Sequence, residues 1–299
     1  MALRTKLAAY FLDLMNGSSS HCWDGLVLGA LERASVLYRK GVEKKYRSYA
    51  DHPERQAWLD AVVISLGNIT VGGTGKTPAA CMLAQRLQRE GYRVALLNRG
   101  YRSQKEHDGA VMSDGRQVLL SAAEGGDEAC LMARSLPGIP VVIGRERRRS
   151  GQIAIEQFGS QVLLLDDGFQ HWQLHRDLDI VLVDATNPFG NGKVLPRGIL
   201  REPMEHLNRA GLFLITKCDQ ASREAIDAVY GTLQAYNPDA PIAESVHRAK
   251  WCISFGDWNG MKGRENCQAL PKGTKAVAVS ALGNPASFEQ TIRSFGYDV

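Results

Sequence analysis

The chain has 299 residues, of which 44% are hydrophobic and 23% charged, and its formal net charge is only +4. This composition is typical of one large or two ordinary α/β domains and excludes an intrinsically disordered chain, while the weak charge gives no indication of nucleic-acid binding. The six cysteines show no Cys-x-x-Cys spacing, which indicates a reducing, cytosol-facing environment without structural disulfides.

Residues 1–49 form the first predicted unit and differ from the rest of the chain. Apolar residues recur at helical spacing over 3–14, a second apolar run covers 23–31, and basic residues are concentrated in 39–47. Such a segment is typical of a helix in the interface of an anionic membrane. It is equally typical of a helix packed on the domain with a solvated basic face, so this segment alone leaves both interpretations open.

Short apolar runs alternate with helical stretches from residue 60 onward. Their continuous hydrophobicity predicts strands covered on both faces, and therefore a mostly parallel sheet in an α/β/α sandwich. The predicted strands are 61–66, 94–97, 141–143, 162–165, 180–183, 212–215 and 276–279. We divide the chain into an N-terminal segment (1–49), a nucleotide-binding lobe (50–180) and a second α/β lobe (181–299). The Pro/Gly-rich stretch 187–203 is the best candidate for a hinge or an active-site loop.

The strongest local signal is a glycine-rich stretch over 67–78 that follows a predicted strand and precedes a predicted helix. A phosphate-binding loop (P-loop) requires this context, because its N–H groups and the positive end of the helix bind phosphate oxygens. In such a loop Lys76 reaches the β- and γ-phosphates and the Thr77 hydroxyl binds Mg²⁺. The strict pattern has glycine where this sequence has Thr70. The predicted nucleotide-binding residues are Gly72, Gly73, Thr74, Gly75, Lys76, Thr77 and Pro78.

An acidic partner for this loop is expected at the end of a neighbouring strand. The apolar run 162–165 leads directly into Asp166 and Asp167. A carboxylate in this position holds Mg²⁺ directly or through water. Many strands end in aspartate, so the signal depends on its combination with the glycine-rich loop.

Two further motifs resemble those of other nucleotide-dependent proteins. The stretch 175–178 resembles the protein-kinase catalytic loop, but the accompanying kinase motifs are absent and we interpret the match as accidental. The stretch 216–219, with 280–282 after a later strand, resembles the guanine-reading motifs of GTPases. Because Thr216 occupies the position of their asparagine, a GTPase or metal-delivery NTPase is the alternative and not the leading interpretation.

Six motifs follow one another in an order that resembles the tetraacyldisaccharide 4′-kinase family, the lipid A kinases of Gram-negative bacteria. The resemblance extends from about residue 23 to the last residue. The motifs are 67–78, 98–101, 126–128, 165–171, 175–178 and 195–203.

The resemblance implies two α/β/α lobes with a cleft between them. It implies an enzyme that uses ATP and Mg²⁺ to phosphorylate the 4′-hydroxyl of a tetraacyldisaccharide 1-phosphate, the lipid A disaccharide precursor. It also implies a peripheral protein at the cytoplasmic face of the inner membrane, which favours the membrane interpretation of residues 1–49. It implies neither a nucleic acid nor a known protein partner.

The resemblance also assigns roles to individual residues. Asp127 corresponds to the catalytic base, a role that suits a carboxylate, and Lys76 completes the catalytic set. Without the resemblance, Asp127 would be interpreted as a helix N-cap and Arg147 as part of a solvated basic helix start. The acidic positions around the metal and phosphates are Glu128, Asp167 and Glu202, in addition to Thr77. The positions that line the lipid headgroup pocket are Arg99, Tyr101, Arg147, Gln170 and His171.

One motif of the family has no counterpart in this sequence. The family continues into a Phe-x-Asp-His segment whose histidine pairs with the catalytic aspartate, whereas this sequence ends at residue 299. We therefore expect a C-terminally truncated form with a complete nucleotide site and impaired catalysis. A catalytically silent relative that binds nucleotide and lipid is the corresponding alternative.

Overall fold

The computed structural model describes residues 10, 23–246, 248, 254, 271–280 and 285–299. Its centre is one eight-stranded sheet. The strands are β1 (Val62–Gly67), β2 (Val94–Asn98), β3 (Ala110–Ser113), β4 (Val141–Ile143), β5 (Val162–Asp166), β6 (Leu178–Asp184), β7 (Leu212–Thr216) and β8 (Ile242–Glu244). They are arranged in the order β3-β4-β2-β5-β1-β6-β7-β8. All neighbouring pairs are parallel except β3 and β4, which are antiparallel.

Helices cover both faces of this sheet, as the continuous apolar runs predict. Along β2, Leu96 packs in one apolar cluster with two of the helices, whereas its neighbour Leu97 packs in a separate cluster with a third helix. Successive side chains of a strand point to opposite faces, so both faces are buried and the predicted sandwich is confirmed. The helices are α1 (Asp24–Ala50), α2 (Lys76–Arg89), α3 (Ala122–Gly125), α4 (Asp127–Ser135), α5 (Arg147–Phe158), α6 (Arg223–Tyr236) and α7 (Pro285–Ser294).

The parallel strands bring several polar side chains to one edge of the sheet. β1 ends at the glycine-rich loop, β2 at Asn98, β5 at Asp166 and β6 at Asp184. In parallel α/β sheets this carboxyl edge is where ligands bind. Gly67 allows a close approach there, because a Cβ atom on it would lie 2.5 Å from Cβ of Phe169. The sequence thus builds its phosphate loop and its carboxylates at the same edge.

Most predicted strands are confirmed, and the exceptions lie where side chains are exposed. The run 276–279 does not form a strand, since Val277 and Val279 are 91% and 84% exposed and have no sheet to cover. The edge strands β3 and β8 were not predicted. The predicted lobe boundary at residue 180 falls inside β6, which pairs with both β1 and β7. The sheet is therefore continuous across this boundary, and the division into lobes stays a prediction.

The N-terminal helix α1 packs on the loop that precedes β7. The Ser35 hydroxyl donates to the Val194 carbonyl at 2.9 Å, and the Tyr38 hydroxyl donates to the Arg201 carbonyl at 3.0 Å. Leu26 on the same helix is 82% exposed. No helix in the described ranges is long and apolar enough to cross a bilayer. The predicted helical run 3–14 lies outside the described residues except Tyr10, and contact of α1 with a membrane stays a prediction.

Candidate active site

The phosphate loop occupies residues 68–75 between β1 and α2. Gly72 and Gly75 adopt left-handed backbone angles (φ 119° and 83°), which only glycine takes without strain. Lys76 is the first residue of α2, and its Nζ donates to Oδ1 of Asn68 at 3.1 Å. Burial lowers the pKa of Lys76, and the Asp167 carboxylate 3.6 Å away opposes this shift. The lysine is therefore held at the carboxyl edge of the sheet.

The non-glycine position of the loop has a structural explanation. Thr70 pairs with Leu200 in an isolated antiparallel bridge, and its backbone is not left-handed, so glycine is not required. The amide of Val71 donates to the Ile199 carbonyl at 2.8 Å, and the amide of Arg201 donates to the Ile69 carbonyl at 2.6 Å. The predicted active-site loop 187–203 is thus hydrogen-bonded directly to the phosphate loop.

Asp166 and Asp167 lie beside Lys76 but differ in their surroundings. Asp166 is almost fully buried, and burial raises its pKa to about 7, with Glu128 and Asp167 acting in the same direction. Its Oδ2 accepts from Asn98, while its Oδ1 has no partner in the described part of the chain. Burial also disfavours the ionised form of Asp167, but hydrogen bonds and charge from Arg201 outweigh it and lower the pKa of Asp167. Arg201 is bidentate, with contacts of 2.7 and 2.9 Å.

Asp127 and Glu128 open helix α4 and are both exposed. The helix N-cap is Gly126, with φ 95°, so the alternative interpretation of Asp127 as the cap is wrong. A carboxylate in the first turn is favoured there by the helix dipole without serving as the cap. Both side chains are therefore accessible to a ligand. Glu128 is also close enough for its charge to raise the pKa of Asp166 and to oppose the lowering of the Lys76 pKa by burial.

Glu202 is placed differently from the other predicted metal ligands. It is fully buried, and its Oε1 accepts from Gln170 at 2.7 Å. Its Oε2 lies 2.6 Å from both His206 Nδ1 and Arg209 Nη2. Both oxygens are therefore occupied by protein groups. Among the described residues, no group of three or more His, Cys, Asp or Glu side chains is arranged as a metal cluster.

The predicted headgroup residues fall into an exposed and a buried set. Arg99 lies 5.4 Å from the exposed ring of Tyr101 and donates to Glu106 at 2.7 Å. Arg147, in contrast, is 4% exposed and donates to the Gly144 carbonyl. Burial lowers the pKa of Arg147 to about 10, and the alternative of a solvated basic position is wrong for this residue. Gln170 links the Asn68 carbonyl at 2.9 Å to Glu202.

His171 lines a cleft of about 520 Å³ that carries several cations. Burial and the nearby charges of Arg147 and Arg176 lower the pKa of His171 to about 3. The imidazole is therefore neutral at physiological pH and offers one donor and one acceptor. The remaining lining residues are Tyr49, Arg55, Ala57, His107, Arg145, Glu146, Arg148 and Gln173.

The depressed pKa of His171 predicts a pH dependence of stability. In the unfolded chain the imidazole has a pKa near 6.5 and is protonated below that pH. In the folded chain its pKa is about 3, so it stays neutral until the pH falls that far. Its contribution is therefore complete above about pH 6.5 and is lost as the pH falls. Between pH 7 and 5 we expect a loss of about 2 kcal/mol that His171→Gln does not show. Urea unfolding of both proteins at the two pH values measures it, and parallel losses would contradict the assignment.

Comparison with known proteins identifies the family. The family model for tetraacyldisaccharide-1-P 4′-kinase (LpxK) matches residues 28–299. The chain belongs to this family. It is 37% identical to the tetraacyldisaccharide 4′-kinase of Halothermothrix orenii over 99% of this chain and 78% of the relative. It is 42% identical to that of Anaeromyxobacter sp. (strain Fw109-5) over 92% and 72%.

A solved structure supports the same assignment. LpxK of Aquifex aeolicus, crystallised in complex with ATP, superposes with a TM-score of 0.68 at 28% identity, covering 91% of this chain and 80% of that one. The P-loop sandwich predicted from the apolar runs and the glycine-rich loop is thereby confirmed for this member of the LpxK family.

Three residues in the site were missed by the residue-by-residue assignment. Asn68 accepts from Lys76 and Arg201, and Arg201 neutralises Asp167. Lys217 donates to the loop carbonyl of Gly73 at 3.1 Å. All three lie inside stretches of distinctive sequence (67–78, 195–203 and 216–219), so their positions were indicated although their partners were not.

Proposed function

We propose that this chain transfers the γ-phosphate of ATP to the 4′-hydroxyl of a tetraacyldisaccharide 1-phosphate at the cytoplasmic face of the inner membrane. The observation that supports this most directly is the arrangement around Lys76. Lys76 is the first residue of α2, and its ammonium group lies 3.6 Å from the Asp167 carboxylate. The charges of Asp166 and Glu128 also act on it and oppose the lowering of its pKa by burial. A family member with this arrangement has both a phosphate cradle and the carboxylates that phosphoryl transfer needs.

The carboxyl edge also fits a magnesium ion. Oδ1 of Asp166 is buried without a partner among the described residues, and hard carboxylate and hydroxyl oxygens are the ligands that Mg²⁺ prefers. We place Thr77, Asp166, Asp167 and Glu128 in this role together with the nucleotide phosphates, since the described carboxylates do not form a metal cluster on their own. Glu202, predicted with them, is fully buried with both oxygens occupied and is better suited to support the loop than to bind the ion. Asp167 is also paired, with Arg201, but its side chain is 42% exposed and is open to an ion. When bound, Mg²⁺ neutralises charge on the β- and γ-phosphate oxygens.

Asp127 is proposed as the base that accepts the proton of the attacking hydroxyl. It is exposed at the start of α4, and the next residue, Glu128, faces the same carboxyl edge as Lys76. The acceptor oxygen attacks the γ-phosphorus as its proton passes to the Asp127 carboxylate, and the bond from this phosphorus to the bridging oxygen of the β-phosphate breaks to release ADP. Lys76 stabilises charge on the transferred group.

The acceptor is proposed to bind beside Arg99 and Tyr101 and in the cleft at His171. Three arginines line this cleft, at positions 55, 145 and 148. Arginine binds phosphate oxygens through paired N–H donors, which suits an acceptor that already carries a phosphate. The neutral His171 adds a hydrogen-bonding group suited to sugar hydroxyls. Membrane contact by residues 1–49 would deliver a substrate whose acyl chains remain in the bilayer.

A guanine-specific NTPase remains the second candidate, since residues 216–219 resemble a guanine-reading motif. The structure turns two of these residues toward the phosphate loop. The Thr216 hydroxyl donates to the Thr74 carbonyl at 3.0 Å, and Lys217 donates to Gly73. Their conformation is thus explained by the loop without a bound base, which favours the kinase.

The deciding experiment is transfer of labelled γ-phosphate to a tetraacyldisaccharide 1-phosphate in detergent micelles, with ATP and GTP compared. We expect lipid labelling from ATP and much less from GTP. The same acceptor blocked at the 4′-hydroxyl is the control and should take up no label. Nucleotide binding without any lipid labelling would favour the silent relative, and preferential use of GTP would favour the second candidate.

A further inference from the structure

The side chains of Thr216, the last residue of β7, and of Lys217, which follows it, contact the phosphate loop. The Lys217 ammonium donates to the Gly73 carbonyl at 3.1 Å and to the Asp184 carboxylate. The Thr216 hydroxyl donates to the Thr74 carbonyl at 3.0 Å. These contacts join residues more than 140 positions apart in the chain. Thr216 is 2% exposed and Lys217 is 5% exposed, so both contacts are buried.

The backbone at Lys217 shows that this contact is specified by the fold. Lys217 has φ 58° and ψ 34°, in the left-handed region that residues with a Cβ rarely adopt. Among the described residues only Arg102, Asp167 and Lys217 are non-glycine residues with positive φ. Asp167 pairs with Lys76, the residue directly after the loop, so two of these three positions contact the phosphate loop or the lysine that follows it. Strain of this kind persists where the surrounding structure requires it and is common at functional sites.

The two contacts determine where the loop amides point. In a trans peptide the carbonyl and the following N–H point in opposite directions. With the Gly73 and Thr74 carbonyls fixed toward β7, the N–H groups of Thr74 and Gly75 must point away from it. In the described part of the chain neither N–H has a hydrogen-bond partner. They are therefore available to a phosphate on the open side of the loop.

We infer that Lys217 and Thr216 are positioning residues for the phosphate loop, which hold its carbonyls back so that its amides face the nucleotide phosphates. Asp184 completes the arrangement, since it pairs with Lys217 and also accepts from the Thr186 amide at 2.9 Å. The motif that resembles a guanine reader thereby has a role that does not involve the base. The inference rests on the proposed function only in taking the loop ligand to be a nucleotide.

The test measures MgATP affinity by calorimetry on the full chain without any lipid. Thr216→Val keeps the shape of the side chain and removes its hydroxyl, whereas Thr216→Ser keeps the hydroxyl. We expect Thr216→Val and Lys217→Met each to weaken MgATP binding about tenfold or more, and Thr216→Ser to stay near wild type. Arg89→Met is the matched control for loss of a cation, because Arg89 is exposed at the other end of α2, about 20 Å from Lys76.

Steady-state kinetics separate positioning from a general structural effect. The KM for ATP should rise in parallel with the dissociation constant, while the KM for the lipid acceptor stays unchanged. Wild-type MgATP affinity in folded Thr216→Val and Lys217→Met would overturn the inference. Should Lys217→Met not fold, the difference between Thr216→Val and Thr216→Ser decides it. A wild-type chain that binds MgATP but labels no lipid contradicts the proposed function and leaves this binding result valid.

Discussion

Asp127→Asn is expected to lower kcat for lipid phosphorylation by about 10²–10⁴-fold, the usual contribution of a positioned general base. The amide retains the size of the carboxylate but cannot accept the hydroxyl proton. MgATP affinity should change little, because the residue stands outside the phosphate loop, at the exposed start of α4. Labelled-phosphate transfer gives kcat, and calorimetry on the same preparation gives the affinity for MgATP.

The control for this prediction is Asp239→Asn, which makes the same chemical change at an exposed position beyond helix α6. Its kcat should equal that of the wild type. Loss of activity together with loss of MgATP binding in Asp127→Asn would indicate a role in nucleotide binding. Retention of wild-type kcat would assign the base to another group and remove Asp127 from the catalytic set.

The parts of this structure that sequence predicts well are those set by local pattern. The central strands are apolar on both faces, so a continuous run such as 162–165 is sufficient to place β5. The phosphate loop is a contiguous motif, and its glycines adopt the positive φ angles that the motif requires. The edge strands β3 and β8 are short and partly exposed, so their hydrophobic pattern is too weak to identify them.

The parts that sequence predicts poorly depend on contacts between distant residues. Arg201 neutralises Asp167, and it also reaches Asn68, 133 positions earlier in the chain. No spacing rule links these residues, because folding of the sheet brings them together. The same holds for Arg147, whose arginine-rich neighbourhood indicates a solvated face although its own side chain is buried. Burial of a charged group depends on tertiary partners that a local pattern does not contain.

Glu202 shows how residue identity alone can leave two roles open. The resemblance places it among the acidic positions around the metal, and the carboxylate type is compatible with that role. The structure buries it completely, with Gln170, His206 and Arg209 as its hydrogen-bond partners.

The partners of Glu202 connect it to other parts of the fold. Arg209 lies over the ring of Phe169, 4.0 Å from its centroid. The second nitrogen of His206 contacts Glu43 of helix α1 at 3.0 Å. Glu202 therefore joins α1, the loop before β7 and the segment after β5.

Glu202→Gln is expected to destabilise the folded protein by about 3–5 kcal/mol, the usual cost of removing one partner from a buried ion pair. The amide leaves the Arg209 guanidinium buried without its counter-charge and presents a donor to a neighbouring donor. Urea unfolding without Mg²⁺ or nucleotide measures the loss. The matched control is Glu205→Gln, three residues further along in the 3₁₀ helix Met204–Arg209, where the exposed ion pair of Glu205 with Arg39 should contribute less than about 1 kcal/mol.

Measurements of unfolding and of the Mg²⁺ requirement distinguish the two possible roles of Glu202, a structural anchor and a metal ligand. A structural anchor lowers the free energy of unfolding in the absence of ligand, and the loss does not depend on Mg²⁺. A metal ligand leaves unfolding of the free protein nearly unchanged and raises the Mg²⁺ concentration needed for half-maximal transfer. Wild-type stability combined with a higher Mg²⁺ requirement would therefore return Glu202 to the metal site. The opposite result would mean that this buried carboxylate serves the reaction by holding Gln170 and, through it, the backbone of the phosphate loop at Asn68.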